Sequence, residues 1–267
     1  MTGPAGRPSG ALATRVATAA VLLAAFVAAL FLLPRPWLVA LLAAICALGG
    51  FEWAKLCRFG KAAAWAYAIA MAFGLVAFYN STLWQAAFLV SAIFWIAVAP
   101  PWMWRGVSEC HLKALAVVGF VALIPTALAM AALPPLQVLL VLGLVWIADT
   151  AAYFTGRAWG RRKLAPSISP GKTREGAIGG LLGALAYAII CGAQVEDVRW
   201  LPYLAAAALL AVLSILGDLF ESAVKRQAAV KDSGALLPGH GGILDRVDSA
   251  TATLPLAALM LPWIVGK

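Results

Sequence analysis

Charge is what this sequence has least of. Charged residues make up 12% of its 267 residues, hydrophobic residues make up 64%, and mean hydropathy is +0.93. A soluble domain of this length needs more polar side chain than that to face water, so a soluble fold is excluded. Lipid is the solvent that permits such a composition. Cysteine is scarce too: Cys46, Cys57, Cys110 and Cys191 are scattered, with no pair at metal-ligand spacing and no sign of a disulfide framework. Long polar stretches are missing, which leaves no soluble domain and no long linker. No cleavable leader is expected either. The apolar run 16–33 exceeds the about 7–15 residues of a signal core and ends in Pro34-Arg35-Pro36 without a polar cleavage region, so it reads as a retained span. Residues 1–14, with Gly, Pro and Ser, read as a disordered tail.

What is present is a series of apolar runs. A helical span needs about 20 mostly apolar residues. Charges and Pro/Gly breaks delimit about nine candidates. They lie near 15–33, 37–56, 62–79, 83–100, 114–133, 136–156, 176–194, 200–224 and 248–265. The expected fold is therefore an all-α, polytopic transmembrane helix bundle. Its N-terminal helices (15–135) would form a scaffold and 136–267 a catalytic region. Nine alternating spans put seventeen of the 20 basic residues on one side; the other holds Arg35, Arg199 and Lys267. By the positive-inside rule the N-terminus is then cytoplasmic and the C-terminus extracytoplasmic. The net charge of +9 becomes a property of one face, attractive to anionic lipid, and calls for no nucleic-acid partner. Glu52, Lys55 and Arg58, at the end of the second span, read as charges reaching an interface.

The 11 acidic residues are more informative. Glu196 and Asp197 sit in an outer loop. Asp149, however, follows the apolar run 138–148, and Asp218 and Glu221 close the apolar run 203–219. A carboxylate on a span costs roughly 2.5–3.5 kcal/mol on insertion scales, which makes each of these a functional candidate. Asp218, Glu221, Ser222 and Lys225 fall at i, i+3, i+4 and i+7, one stripe of a helix. Arg226 follows, then Lys231, Asp232, His240, Gly241 and Gly242, and the chain returns with Asp245, Arg246 and Asp248. Carboxylate oxygens without thiolates suit a hard cation such as Mg²⁺. Lysines and arginines neutralise phosphates, and glycines let backbone approach a ligand. Together they fit metal-assisted phosphoryl or nucleotidyl transfer. His240 is either a general base, a phosphate donor, or a turn histidine bonded to backbone; His111 has no polar constellation near it.

A second polar segment runs from Gly156 to Gly176. Its Gly171-Lys172-Thr173 is not a P-loop, because the first glycine of that motif would fall on Pro166 and no strand is expected before it. It reads as a basic loop leading into a helix N-terminus, a place suited to phosphate. Beyond it, Gly176/Gly180 and Gly179/Gly183 have the spacing of close helix packing.

Ser222-Ala223-Val224-Lys225-Arg226, then Lys231-Asp232, then residues 240–248 (His-Gly-Gly-Ile-Leu-Asp-Arg-Val-Asp) resemble the defining C-terminal pattern of the phosphatidate cytidylyltransferases, or CDP-diacylglycerol synthases. Residues 149–153 and 169–173 also resemble family segments. The likeness is strong over about 145–250, with one departure: Arg174 stands where the family usually has an aromatic or apolar residue. The resemblance implies an enzyme of phospholipid biosynthesis in a bacterial inner membrane. It would make CDP-diacylglycerol and pyrophosphate from CTP and phosphatidate. It also implies Mg²⁺, with a second cation or Mn²⁺ in support, and a homodimer among membrane lipids. Carried onto this sequence, Asp218 and Asp245, with Glu221 beside them, become metal ligands. Lys225, Arg226, Lys231 and Arg246 neutralise phosphates. Ser222, Asp232, His240 and Asp248 position the reacting groups, and Lys172, Asp149, Gly241 and Gly242 contact substrate.

Two other classes fit less well. A CDP-alcohol phosphotransferase would carry aspartates at four-residue spacing after Asp-Gly and Ala-Arg, and only an Asp-x-x-Asp is present. A transporter would show repeated halves and mid-span carboxylates, whereas here the polar residues crowd one face of the last 120 residues.

Overall fold

In the computed structural model, residues 10–234, 236 and 241–264 are described. The chain runs α1 (Gly10–Leu32), α2 (Arg35–Leu56), α3 (Lys61–Tyr79), α4 (Trp84–Ile93), α5 (Ala99–Arg105), α6 (Leu112–Ala132) and α7 (Pro135–Trp159). A hairpin of β1 (Lys163–Ala165) and β2 (Ser169–Thr173) follows, then α8 (Arg174–Gly192), α9 (Trp200–Gln227) and α10 (Leu244–Ile264). Among the described residues, eight helical segments are long and apolar enough to cross a membrane, α4 and α5 counting as one; α1 adds an apolar stretch, Ala20–Leu32. Large apolar side chains such as Phe73, Leu182, Ile190 and Leu201 point outward, which water would not tolerate over such an area. This is a multi-pass membrane protein.

Contacts between helix ends describe an up-and-down course. The Arg35 guanidinium, at the start of α2, donates to the Ala131 carbonyl near the end of α6. At the opposite end, Gln227 Nε2 donates to the Leu56 carbonyl at 2.8 Å, and Arg58 pairs with Glu109. Helix α6 is the most enclosed and packs against α2, α3, α4 and α10. Trp53 Nε1 and Tyr67 Oη donate to the Leu115 and Ala116 carbonyls, tying α2 and α3 to α6.

The structure departs from the sequence-based expectation in four places. Residues 163–173 are not a loop but an antiparallel hairpin, pairing Lys163 with Thr173 and Ala165 with Ser169, so the chain is not wholly helical. Its strands are too short to show an alternating pattern, and Pro170 is tolerated because a two-stranded ribbon leaves each strand an open edge. A strand thus does precede α8, but Gly171-Lys172-Thr173 lies inside it rather than in a loop after it. The fourth span does not stop at Pro100. It passes through a π-helical turn at Phe94–Val98 and continues to Arg105, because Pro100-Pro101 occupy the first turn of α5, where missing N–H groups are harmless. Glu52 does not reach an interface: it is 2% exposed. Helix α1 begins at Gly10, so residues 10–14 are helical.

The small-residue stripe on α8 packs within the chain, against α7. A Cβ on Gly180 would stand 2.9 Å from the Ala148 carbonyl oxygen and 3.1 Å from the Ala152 Cβ, and one on Gly183 would stand 2.6 Å from the Ala151 Cβ. This close approach holds the hairpin at the end of α7. Gly180→Val is expected to wedge the two helices apart and destabilise the protein by about 1–3 kcal/mol, the usual range for overpacking, read as a lower melting temperature in detergent micelles.

Candidate active site

A cavity of about 520 Å³ opens where α7, the hairpin, α8 and α9 meet. Helix α7 contributes Asp149, Tyr153 and Arg157, at i, i+4 and i+8 and so on one face. Arg157 donates to the Tyr153 hydroxyl at 3.1 Å. Ser169 and Lys172 reach in from β2, and Ile215 and Asp218 from α9. The Lys172 ammonium pairs with Asp218 Oδ2, and the Ser222 hydroxyl donates to Asp218 Oδ1 at 3.3 Å. The N-terminus of α8 opens nearby. Thr173 caps it, its hydroxyl accepting from the Gly176 N–H at 3.1 Å, while Glu175 reaches back to the N–H groups of Arg161 and Arg162. Arg174, the departure from the family pattern, is exposed as the first residue of α8 and does not line the cavity.

A second polar group lies deeper, between α9 and α10. Lys225 Nζ is 3.1 Å from Glu221 Oε1 and 2.6 Å from Asp245 Oδ1, with all three side chains at 11% exposure or less. Asp245 Oδ2 accepts from the Ser233 and Gly242 N–H groups at 3.0 and 2.9 Å. The Ser233 hydroxyl lies 3.0 Å from both Asp245 Oδ2 and Glu52 Oε2, its single proton serving one at a time. Asp248 completes the group, within electrostatic reach of Asp218, Lys225 and Asp149, with its backbone laid over Gly217.

Local sequence explains these positions. Helix α9 ends in a Schellman motif in which Ala229, at φ 58°, turns the chain while Val230 and Ala229 N–H groups bond back to the Lys225 and Arg226 carbonyls. That turn sends residues 231–234 back beside α10. Gly241, at φ +79°, takes a conformation that other residues rarely adopt, and it delivers the Gly242 N–H to Asp245.

The structure brings Asp149, Lys172, Asp218 and Ser222 together at the cavity, and Glu221, Lys225, Asp245 and Asp248 behind it. It does not bring every expected residue there. Arg226 is exposed and donates to the Ile168 and Val230 carbonyls, bracing the hairpin turn against the end of α9. Lys231, Asp232 and Arg246 are exposed and do not line the cavity. Gly241 and Gly242 admit the chain's own carboxylates, Asp245 and Glu52. His240 lies outside the described residues. Among the described residues no three His, Cys, Asp or Glu side chains form a ready metal cage. Three contributors lay unread in the sequence as site residues. Tyr153 and Arg157 could have been found by extending the i+4 spacing from Asp149. Glu52 could not, because its partners lie more than 180 residues away.

Oxygen ligands and ammonium groups at the polar end of an apolar bundle define a membrane-embedded site for anionic, phosphate-bearing molecules. The chain belongs to the cytidylyltransferase family, whose sequence profile matches residues 13–264. It is 38% identical to a phosphatidate cytidylyltransferase of Pseudomonas aeruginosa over 275 residues, which cover 96% of this chain and 98% of the relative. Phosphatidate cytidylyltransferases of Haemophilus influenzae (51% identical over 117 residues) and Thermotoga maritima (42% over 134 residues) match over shorter stretches, 42% and 48% of this chain and 41% and 50% of theirs.

Lys225 is the counter-charge of two enclosed carboxylates. Lys225→Met is expected to leave both unpaired and to destabilise the protein by about 3–5 kcal/mol, the range for breaking a buried pair, seen as a large fall in melting temperature in detergent.

Proposed function

We propose that this protein is a phosphatidate cytidylyltransferase, joining CTP and phosphatidate into CDP-diacylglycerol and pyrophosphate. The observation that carries the proposal is the cavity in which Asp149, Lys172 and Asp218 converge, in a chain matched by the family over nearly its whole length. A phosphatidate phosphate oxygen attacks the α-phosphorus of CTP. A new P–O–P bond forms, the bond from the α-phosphorus to the bridging oxygen breaks, and pyrophosphate leaves with that electron pair. The attacking oxygen is already anionic, so no strong general base is needed.

Lys172 and Arg157 reach into the cavity and neutralise phosphate oxygens. The exposed Lys231 and Arg246 attract the nucleotide to this face, while Arg226 keeps the hairpin that carries Lys172 in place. Lys225 and Asp248 keep the charge balance behind the cavity.

The donor set suits Mg²⁺. Asp218 lies on the cavity wall with a cationic ammonium already against it, and Asp149 lies across the same cavity. Among the described residues, Asp245 Oδ1 is held by Lys225, and it retains acceptor capacity for a cation. Glu221 is enclosed against Lys225 and supports the field from behind. A bound Mg²⁺ would offset the charge that develops on the departing pyrophosphate.

The charge asymmetry supports nine spans with the N-terminus and the active site on the cytoplasmic side of the plasma membrane, where CTP is available. The protein is further proposed to act as a homodimer.

Purified protein with labelled CTP and phosphatidate is expected to release pyrophosphate and form lipid-linked CMP only when Mg²⁺ is present. Absence of both products from the wild type would overturn the assignment. Asp218→Asn is expected to cut turnover by at least about 100-fold with the fold intact, as when a preorganised charge at the reacting phosphates is lost. A reporter fused after Lys267 is expected to read as extracytoplasmic; a cytoplasmic signal would remove one span from the count.

A further inference from the structure

We infer that Glu52, on α2 and outside the cavity, is the positioning residue that holds Asp245 and the start of α10 in place for the reaction proposed above. Glu52 is 2% exposed, and no ion pair to Lys or Arg is found for it among the described residues. A carboxylate so enclosed needs donors on both oxygens. Among the described residues it finds them in the stretch from Ser233 to Leu244, just before Asp245. Oε1 accepts from the Ile243 N–H at 3.1 Å, and Oε2 from the Leu244 N–H at 3.0 Å. The Ser233 hydroxyl lies 3.0 Å from Oε2.

Ile243 and Leu244 open α10. The N–H groups of a helix's first turn have no partner inside the helix, and the helix dipole favours a negative charge there. Helix α10 thus takes its cap from another helix, about 190 residues earlier in the chain. The two glycines beside Glu52 point the same way. A Cβ on Gly234 would stand 2.8 Å from Glu52 Cδ, and one on Gly242 would run into Glu52 and Ser233. Backbone therefore closes on this carboxylate from both sides.

The network continues from Glu52 through the Ser233 hydroxyl, which donates to one carboxylate at a time. Ser233 lies between Glu52 and Asp245, Asp245 holds Lys225, and Lys225 holds Glu221. Glu52 is thus the fixed end of a chain of polar contacts reaching the face of α9 that bears Asp218. Its link to Asp245 runs through one serine hydroxyl, and a small displacement of a reacting group is enough to lose most of its rate.

The test is Glu52→Gln in the full-length protein in detergent micelles. The amide keeps the shape but turns one acceptor into a donor facing an N–H group. Steady-state kinetics and hydrogen–deuterium exchange are measured together. The expected result is a kcat about 100-fold lower. KM for CTP stays within about three-fold. Faster amide exchange should be confined to residues 231–234 and 241–246, with α7 and α8 unchanged. Wild-type kcat with wild-type exchange would overturn the inference. So would faster exchange throughout α2, α3 and α6 with kcat per folded molecule unchanged, which is the signature of packing alone. If the Gln variant fails to fold, Glu52→Asp replaces it, keeping the charge but shortening the reach. A lowered kcat with the same local exchange supports the inference, and wild-type kcat overturns it. If the wild type itself turns over nothing, the functional proposal fails by that assay, and the exchange pattern alone still accepts or rejects the Glu52 anchor.

Discussion

A carboxylate carried into the apolar body of a helix bundle must find an opposite charge or a set of N–H donors before the helices can close around it. The arrangement of this protein's polar end follows from that requirement. Lys225 lies between Glu221 and Asp245, Asp245 gathers the Ser233 and Gly242 N–H groups, and Glu52 gathers those of Ile243 and Leu244. The Lys225–Asp245 and Glu52 contacts join segments that the sequence keeps apart, so the ends of α2, α9 and α10 are held in one geometry. Buried pairs of this kind add little net stability, because desolvation offsets much of the attraction. What they contribute here is a single arrangement of charge beside a cavity.

The cavity depends on a second constraint, close approach without side chains. Glycines on α8 bring it against α7, so that the hairpin folds back over the end of α7 and carries Lys172 to Asp218. Arg226 then ties the hairpin turn to the end of α9. The cavity walls therefore come from an ion pair, a backbone-directed arginine and a run of missing Cβ atoms. Asp218 belongs to both parts of the site: it faces the cavity, and it shares a helix face with the residues that support it from behind.

Much of this was legible in the sequence. The helices match the apolar runs closely, because in lipid an apolar run of about 20 residues has few conformations open to it other than a helix. Asp149, Asp218 and Glu221 stood out because a charge on a span is costly, and the stripe from Asp218 to Lys225 because 3.6-residue periodicity is a local property. The hairpin was read as loop because three- and five-residue strands carry no periodic signal. The extension to Arg105 was missed because a proline pair reads the same at the end of one helix and in the first turn of the next. Glu52, beside Lys55 and Arg58, looked like another interfacial charge. Nothing local to residues 49–58 distinguishes a carboxylate destined for water from one destined for a distant helix N-terminus.

The sequence by itself determined the solvent of the fold, the course of its helices and which carboxylates stand on its spans. Each of these follows from composition, run length or spacing within one segment. Tertiary structure alone decided which charges meet. It put Lys172 on Asp218 rather than free in a loop, turned Arg226 from the cavity toward the hairpin backbone, and recruited Glu52 to a helix some 190 residues away. Pairing of charges between helices is set by the three-dimensional closure of the bundle, and no spacing along the chain encodes it.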